Sequence, residues 1–565
     1  MSRSGIGTKV RLGLLAGRNA GRSALARLYT SRLYRWRFGS GRPERLLLAP
    51  QDLRAADPTR AEEIIQNRFT FAGKTVVLKD ASPFAIPSPS PAWSEGLLGF
   101  TWLRHLRTVQ GLDGHHAARR LVADFVRGPA RFGQEALRPV TAARRVVSWL
   151  SQSPLVLEGA DRGFYRAFIR SITWQTHYLL SAGRVGPDGL PRLLCAMAAT
   201  QASLCLAEKG GLRRRATRWL VDELQRQVLA DGVHRSRNPQ ATVELLLDLL
   251  PLRQSFAARN LPPPPELLGA IDRLMPMLRF FRHADGAFAA FNGMGYTQSH
   301  LIATLLAYDD ARGKPVQNAP HGGYQRVEGS SAVLLVDTGR PPALSMSHEA
   351  HAGTLSFEFS ADGARIIVNC GAPAVGRDSW RQLARATAAH STAVVAEASS
   401  CRFAPLGPSE RPVIAGPKTV TLERRETPDA ITLAASHDGY KAAFGLVHER
   451  VLTLSPRTGA LAGRDAMLDR AGQAWRGRET VLLRFHVHPA VGARPGGGDR
   501  FAALTLPNGK VWRLRADGLP LAIEESIHFA NPEGPRRATQ IVVVVPRDDG
   551  GASLPVSWSL EPETR

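Results

Sequence analysis

Three short stretches gather residues able to move protons or hold anions. The first reads Asp231-Gly232-Val233-His234-Arg235-Ser236-Arg237-Asn238-Pro239. An unshifted imidazole titrates near ~6.5, so His234 suits a general base. Arginine grips a carboxylate through two parallel N–H groups, which suits Arg235 and Arg237 to an acidic ligand, and the Asn238 amide can share that load. The competing structural reading is that Asn238-Pro239 caps a helix while the arginines stand in water.

The second stretch is Arg282-His283-Ala284-Asp285-Gly286, followed by Phe291-Asn292-Gly293 and Tyr296. Aromatic rings stack on sugar faces, and His283, Asp285 and Asn292 can hold hydroxyl groups. Tyr296 adds a phenol that can exchange a proton. The alternative is an Asp-Gly turn over a buried histidine. The third set is Glu349, His351, Asn369 and His390, spread through β-rich sequence. There the histidines read either as working groups or as a hydrogen-bonded pair that braces a sheet. Glu349 serves as an acid or base if partly buried, and is otherwise a solvated carboxylate.

Two kinds of element must position these groups. From about residue 95 to 312 apolar residues recur at helical spacing, as in Trp102, Leu103 and Leu106, or Phe164, Phe168 and Ile172. Segments 190–208, 212–230, 240–258 and 264–281 read as helices, with breakers between them. A small hairpin precedes them, around Phe69 to Leu78. From about residue 325 the period changes to short β-rich runs separated by turns such as Asp362-Gly363 and Asn508-Gly509. The expected runs are Ala332 to Val336, Leu355 to Phe359, Arg365 to Val368, Ala443 to Leu454, Val481 to Val487, Val511 to Leu514 and Gln540 to Val545. An all-α block before an antiparallel sandwich follows, with segments at 1–45, 46–320 and 325–563.

The chain has 565 residues, 73 Lys+Arg against 49 Asp+Glu, and a formal net charge of +24, a surface that attracts polyanions. Its four cysteines are too scattered for a disulfide framework or a zinc knuckle. The basic residues lack interleaved stacking aromatics, so no nucleic-acid partner is expected. The glycines at 496–498 lack a strand-to-helix context for a phosphate loop, and no Gly-x-Ser-x-Gly elbow occurs. No apolar run reaches the ~20 residues that span a bilayer. Residues 1–45 are rich in arginine, with Leu25, Leu28, Tyr29, Leu33 and Trp36 at helical spacing. That pattern suits either a terminal helix packed on the body or a basic amphipathic helix in peripheral contact with a membrane. It is not a clear signal peptide.

The run from Glu349 through His351, Val368-Asn369-Cys370-Gly371 and Ala389-His390-Ser391-Thr392 resembles the heparinase II/III family. The likeness extends over roughly residues 45–560. It implies an incomplete (α/α) toroid followed by an antiparallel β-sandwich, and a polysaccharide lyase that cleaves uronate-containing acidic glycans by β-elimination. It also implies a bacterial cell-envelope or periplasmic setting, although the lack of a clear signal peptide leaves a cytoplasmic one open. Such elimination needs a group to neutralise the carboxylate, a base for the C5 proton and an acid for the leaving oxygen. Where the family has an Asn-His pair opening a toroid helix, this chain reads Gly189-Leu190-Pro191-Arg192. The family's tyrosine after Asp-Gly is absent from 231–241. His234, Arg237, Asn238 and Glu349 are then the expected catalytic groups, and Arg235, His283, Asp285, Asn292 and Tyr296 the expected substrate contacts. Some family members bind zinc at the positions of His351, Asn369 and His390, which makes those three candidate ligands for zinc here, beside the reading of the two histidines as a hydrogen-bonded pair. Three functions stay open: a lyase, a catalytically impaired relative that binds acidic envelope glycans, and a hydrolase or epimerase in the same cleft.

Overall fold

Proline and capping side chains set where the helices begin. Pro58, Pro91 and Pro139 open helices Pro58–Ile65, Pro91–Leu98 and Pro139–Ser151, where a missing N–H costs nothing. Asp57 accepts from Thr59 and Arg60, Ser90 from Trp93, and Asp161 from Phe164, satisfying first-turn donors. The computed structural model describes residues 45–563 apart from 80, 208–209, 310–312, 375–377 and 405–410, with isolated positions nearer the N-terminus. The expected basic amphipathic segment at 1–45 therefore lies almost wholly outside the described residues. Among the described residues, no helix is long and apolar enough to cross a membrane.

The chain divides into two units. The helical unit takes residues up to Val228, then Val243–Asp272 and His300–Tyr308. Helices Leu190–Cys205, Gly211–Gln227, Gln240–Ala258 and Pro265–Phe280 match the expected segments to within a few residues. The hairpin pairs Arg68–Phe71 with Lys74–Val77. Phe100, Phe125, Trp149 and Phe168 form a ring cluster with successive centroids 5.3–5.9 Å apart, which fixes how the helices pack.

The sandwich unit takes Asp309–Arg565 and also two pieces of the helical stretch, Leu229–Thr242 and Arg273–Ser299. The expected single cut near 320 differs from this division, because two earlier segments, the ones that carry the first two candidate stretches, group with the sandwich unit. One sheet runs, in spatial order, Val420–Glu426, Ile431–His437, Val447–Leu454, Leu461–Leu468, Val556–Pro562, Val511–Ala516, Phe501–Thr505, Gly492–Gly496. The other runs Ala522–His528, Arg536–Val544, Val481–Val487, Ala364–Val368, Phe357–Ala361, Ala332–Asp337, Tyr324–Gly329, Asn318–Ala319, with Ala393–Val395 beside Val481–Val487. The turn Asp362-Gly363 has φ of 53° and 80°, both left-handed, as a tight hairpin requires. The start of the expected strand 443–454 is instead a short helix, Lys441–Phe444, ended by Gly445 at φ 69°. Both sheets send side chains into one core, where Phe357 stacks on Trp558 with centroids 5.5 Å apart.

Candidate functional site

The sandwich unit brings His351 and His390 together. Nδ1 of His351 lies 3.0 Å from Nε2 of His390, and Nδ1 of His390 lies 2.8 Å from the Ala386 carbonyl. A carbonyl only accepts, so Nδ1 of His390 carries a proton and its Nε2, in the neutral ring, accepts. His351 must then donate from Nδ1, which leaves its Nε2 as the acceptor that the pair itself does not use. Burial pushes both imidazoles below their ordinary range. The His390 ring and Arg385 add to the effect at His351, whereas the Ala386 carbonyl partly offsets it at His390.

The two loops that carry the histidines are laced to each other. Arg385 donates from Nε to the Ala350 carbonyl at 2.7 Å and from Nη2 to the Ser347 carbonyl at 3.0 Å. Burial pushes the Arg385 guanidinium down to about 10, against the pull of Glu349. Ala352 N–H donates to the Arg385 carbonyl, and the Thr387 hydroxyl donates to the Ala352 carbonyl at 2.7 Å. A ring of buried polar groups fixes the other side. The Asn292 amide donates to the Tyr324 hydroxyl at 2.7 Å and to Asp337 at 3.0 Å, while its carbonyl accepts from His351 N–H at 3.2 Å.

That ring changes the roles of most sequence candidates. Arg237 is buried, with φ of 63°. Its Nε donates to the Gly322 carbonyl, Nη1 to the Arg340 carbonyl, and Nη2 to the Gly323 carbonyl and Asp337. Its guanidinium also sits 4.6 Å from the Tyr324 ring centroid. With all three nitrogens engaged, it is a structural clamp and not the expected carboxylate binder. His234 is fully buried; its Nδ1 accepts from Ser236 N–H at 3.2 Å and lies 2.8 Å from the Ser236 hydroxyl. A polymer cannot reach it, so the general-base expectation is corrected. Asn238 caps helix Gln240–Ala258 by accepting from Gln240 N–H at 2.9 Å, and its amide donates to Glu349 at 3.0 Å. Gly293 sits against both, at φ 93°, where a Cβ would lie 3.1 Å from the Asn238 amide.

His283 and Asn292 are buried and braced, contrary to the expected sugar contacts. His283 meets Glu358 at 2.9 Å and the Ser360 hydroxyl at 3.0 Å. Glu358 also accepts from Ala290 N–H and Asn369 N–H. Asp285 is exposed but paired with Arg365 at 2.8 Å. Burial raises its pKa, yet Arg365 and the Ala287 N–H outweigh that and hold it below the usual carboxylate range. Arg235, Glu349 and Tyr296 are exposed.

The expected zinc site does not fit these residues. The Asn369 side-chain oxygen accepts from Ser391 N–H at 3.0 Å, and the nitrogen of that amide is buried without a partner. The two imidazoles spend their facing nitrogens on each other. Zinc favours imidazole, thiolate and carboxylate, and a neutral amide is a poor third ligand. Among the described residues, no group of three or more His, Cys, Asp or Glu side chains is placed to hold a metal.

Sequence reading missed Tyr324, Asp337, Glu358 and Arg385. A signal existed for two of them. Asp337 ends an apolar run, and Glu358 lies between Phe357 and Phe359, so each is a charge where a strand should be buried.

A helical unit followed in sequence by an antiparallel sandwich that holds a buried histidine pair has the helix-then-sandwich architecture of the heparinase fold. The chain belongs to the heparinase II/III family: residues 311–557 match the model described as heparinase II/III-like, C-terminal. It is 33% identical over 531 residues to FtsZ-localized protein C of Caulobacter vibrioides (strain NA1000 / CB15N), covering 90% of each chain. Among solved structures it is similar in fold to heparinase III, with a TM-score of 0.72 and 11% identity over 96% of this chain and 89% of that one. It is also similar to the heparan sulfate lyase HepC from Pedobacter heparinus, with a TM-score of 0.60 and 16% identity over 99% and 91%.

Proposed function

We propose that this protein binds an acidic glycan without eliminating it, and does so where FtsZ assembles. Arg237 carries the first half of the reading. The arginine best placed in sequence to neutralise a uronate carboxylate turns all its nitrogens inward. His234 and His283 are enclosed, and burial holds the His351–His390 pair neutral, where an added proton is unfavourable. Exposed Arg235, Glu349 and Tyr296 remain able to contact sugar hydroxyls and carboxylates. The net charge of +24 favours a polyanion, and solved relatives of the same fold include a heparan sulfate lyase.

The second half rests on kinship. The relative named for its FtsZ localization shares a third of its residues with this chain over nine-tenths of both. In the basic N-terminal segment, Leu25 and Leu28 are exposed on helical backbone, which supports peripheral contact with an anionic membrane at the same place. A fluorescent fusion should collect at FtsZ assemblies and disperse when FtsZ is depleted. A uniform distribution in cells with intact FtsZ rings would refute the placement. A second reading, β-elimination, is favoured by the acceptor-only Nε2 of His351 and by Glu349, held through the Asn238 amide. It separates from the first by its unsaturated uronate product.

A further inference from the structure

The sandwich unit holds another buried ion pair, one that the sequence motifs do not mark. Arg450 and Asp465 are direct cross-strand partners on Val447–Leu454 and Leu461–Leu468. Both are essentially without solvent contact. Arg450 donates from Nε to one Asp465 oxygen at 2.7 Å and from Nη2 to the other at 3.2 Å. Trp558 donates from Nε1 to Asp465 at 2.9 Å, and His448 meets it at 2.6 Å. Gly463 makes room for the indole: a Cβ there would lie 2.1 Å from the ring. Asp465 is thus saturated with donors, and it fixes the guanidinium in one plane.

The free end of that guanidinium crosses to the other sheet. Nη1 donates to the Leu355 carbonyl and to the Ser391 carbonyl, each at 2.9 Å. Leu355 is four residues past His351 and has φ of 62°, an uncommon conformation for leucine. Ser391 follows His390 directly. One nitrogen therefore holds the two loops that bear the two imidazoles. A buried ion pair contributes little net stability against well-packed apolar side chains, so its use here points to specificity of position.

We infer that Arg450, anchored by Asp465, is a positioning residue that fixes the His351–His390 hydrogen bond and the tautomers of both rings. The positioning role stands on this geometry, and only its bearing on glycan binding rests on the proposed function. The geometry sets both neutral rings with the proton on Nδ1, leaving Nε2 of His351 free to accept from a ligand hydroxyl. Lysine at 450 keeps the charge but cannot hold a planar two-point contact with Asp465 and also reach both carbonyls.

The test is nitrogen NMR of the full chain with labelled histidine, without glycan. In the wild type, His351 and His390 should each show the single Nδ1-protonated pattern at neutral pH. In Arg450→Lys that pattern should give way to mixed tautomers at both rings. His283, held by Glu358 and Ser360, should keep its signals. Unchanged His351 and His390 signals in a folded Arg450→Lys would overturn the inference, as would an equal change at His283, which would signal general loosening. If Arg450→Lys does not fold, Asp465→Asn, close in shape, is read in the same way. Wild-type protein that binds no acidic glycan, beside the expected tautomer change, would refute the glycan reading and leave the positioning role intact.

Discussion

The two units treat charge in opposite ways. In the helical unit, Arg54 and Arg144 share Glu244 and Asp248 in a partly exposed network, and each arginine keeps a second carboxylate if one is lost. Two charges there are buried: Arg145, which has only neutral acceptors in Gln175, Leu98 and Ala136, and Glu223, which pairs with the partly exposed Arg226. In the sandwich unit, Arg237–Asp337, His283–Glu358 and Arg450–Asp465 are buried, and all three touch the loops or strands around His351 and His390. Charge that water could screen is spread over the helices, and charge that water cannot reach is concentrated at the candidate site. Such an arrangement specifies a geometry that apolar packing alone would leave looser.

The largest effect should come from removing one carboxylate on each side. Asp465→Ala leaves Arg450 buried and unpaired, a loss of about 3–5 kcal/mol in denaturant unfolding. Asp248→Ala should cost only about 1 kcal/mol, since Glu244 still serves Arg54 and Arg144. Equal losses would erase the contrast between the units.

Acid should sharpen it next. Burial lowers His351, His390, His437 and His448, and brings His486 and His488 to about 3 and His528 to about 4, all in the sandwich unit. In the helical unit, burial lowers His105 to about 4. A histidine with a depressed folded pKa favours the neutral form. Its stabilisation is complete above the unfolded value of ~6.5 and is lost as pH falls toward the folded value. Each such proton removes up to about 1.4 kcal/mol per pH unit. Hydrogen exchange should therefore show strand Val481–Val487 losing protection between pH 6.5 and 4, ahead of helix Pro139–Ser151. The reverse order would contradict the placement of neutral histidines.

Smaller effects separate the groups inside the site. Asn238→Ala should cost about 1 kcal/mol through the lost cap of helix Gln240–Ala258. Glu349→Ala, at an exposed position, should change stability by less than about 0.5 kcal/mol while altering glycan affinity. A larger stability loss at Glu349 than at Asn238 would reverse their assigned roles.

The fold was legible where apolar residues dominate a short run, as in Ala332–Asp337 and Val481–Val487. It was not legible in Val420–Glu426, whose sequence VTLERRE is mostly exposed and looks like solvated loop. Pairing with Ile431–His437, not its own side chains, makes that segment a strand. His351 and His390 stood out by residue type, and the structure brings them together. Their supports did not stand out, because Arg450, Asp465 and Tyr324 are ordinary residues in ordinary strands until the two sheets face each other. The motif at 231–241 misled for the same reason: type and spacing show what Arg237 can do, but only the positions of Gly322, Gly323 and Asp337 show that it is already doing something else.

The most direct test is ultraviolet absorbance of the purified protein incubated with heparin, heparan sulfate, chondroitin, hyaluronan, alginate and bacterial capsular glycans, with binding measured in parallel. Binding without elimination predicts a flat trace at the unsaturated-uronate band and saturable affinity for at least one polymer, weakened in Arg235→Ala. A rise at that band that is lost in His351→Ala would contradict it and restore the lyase.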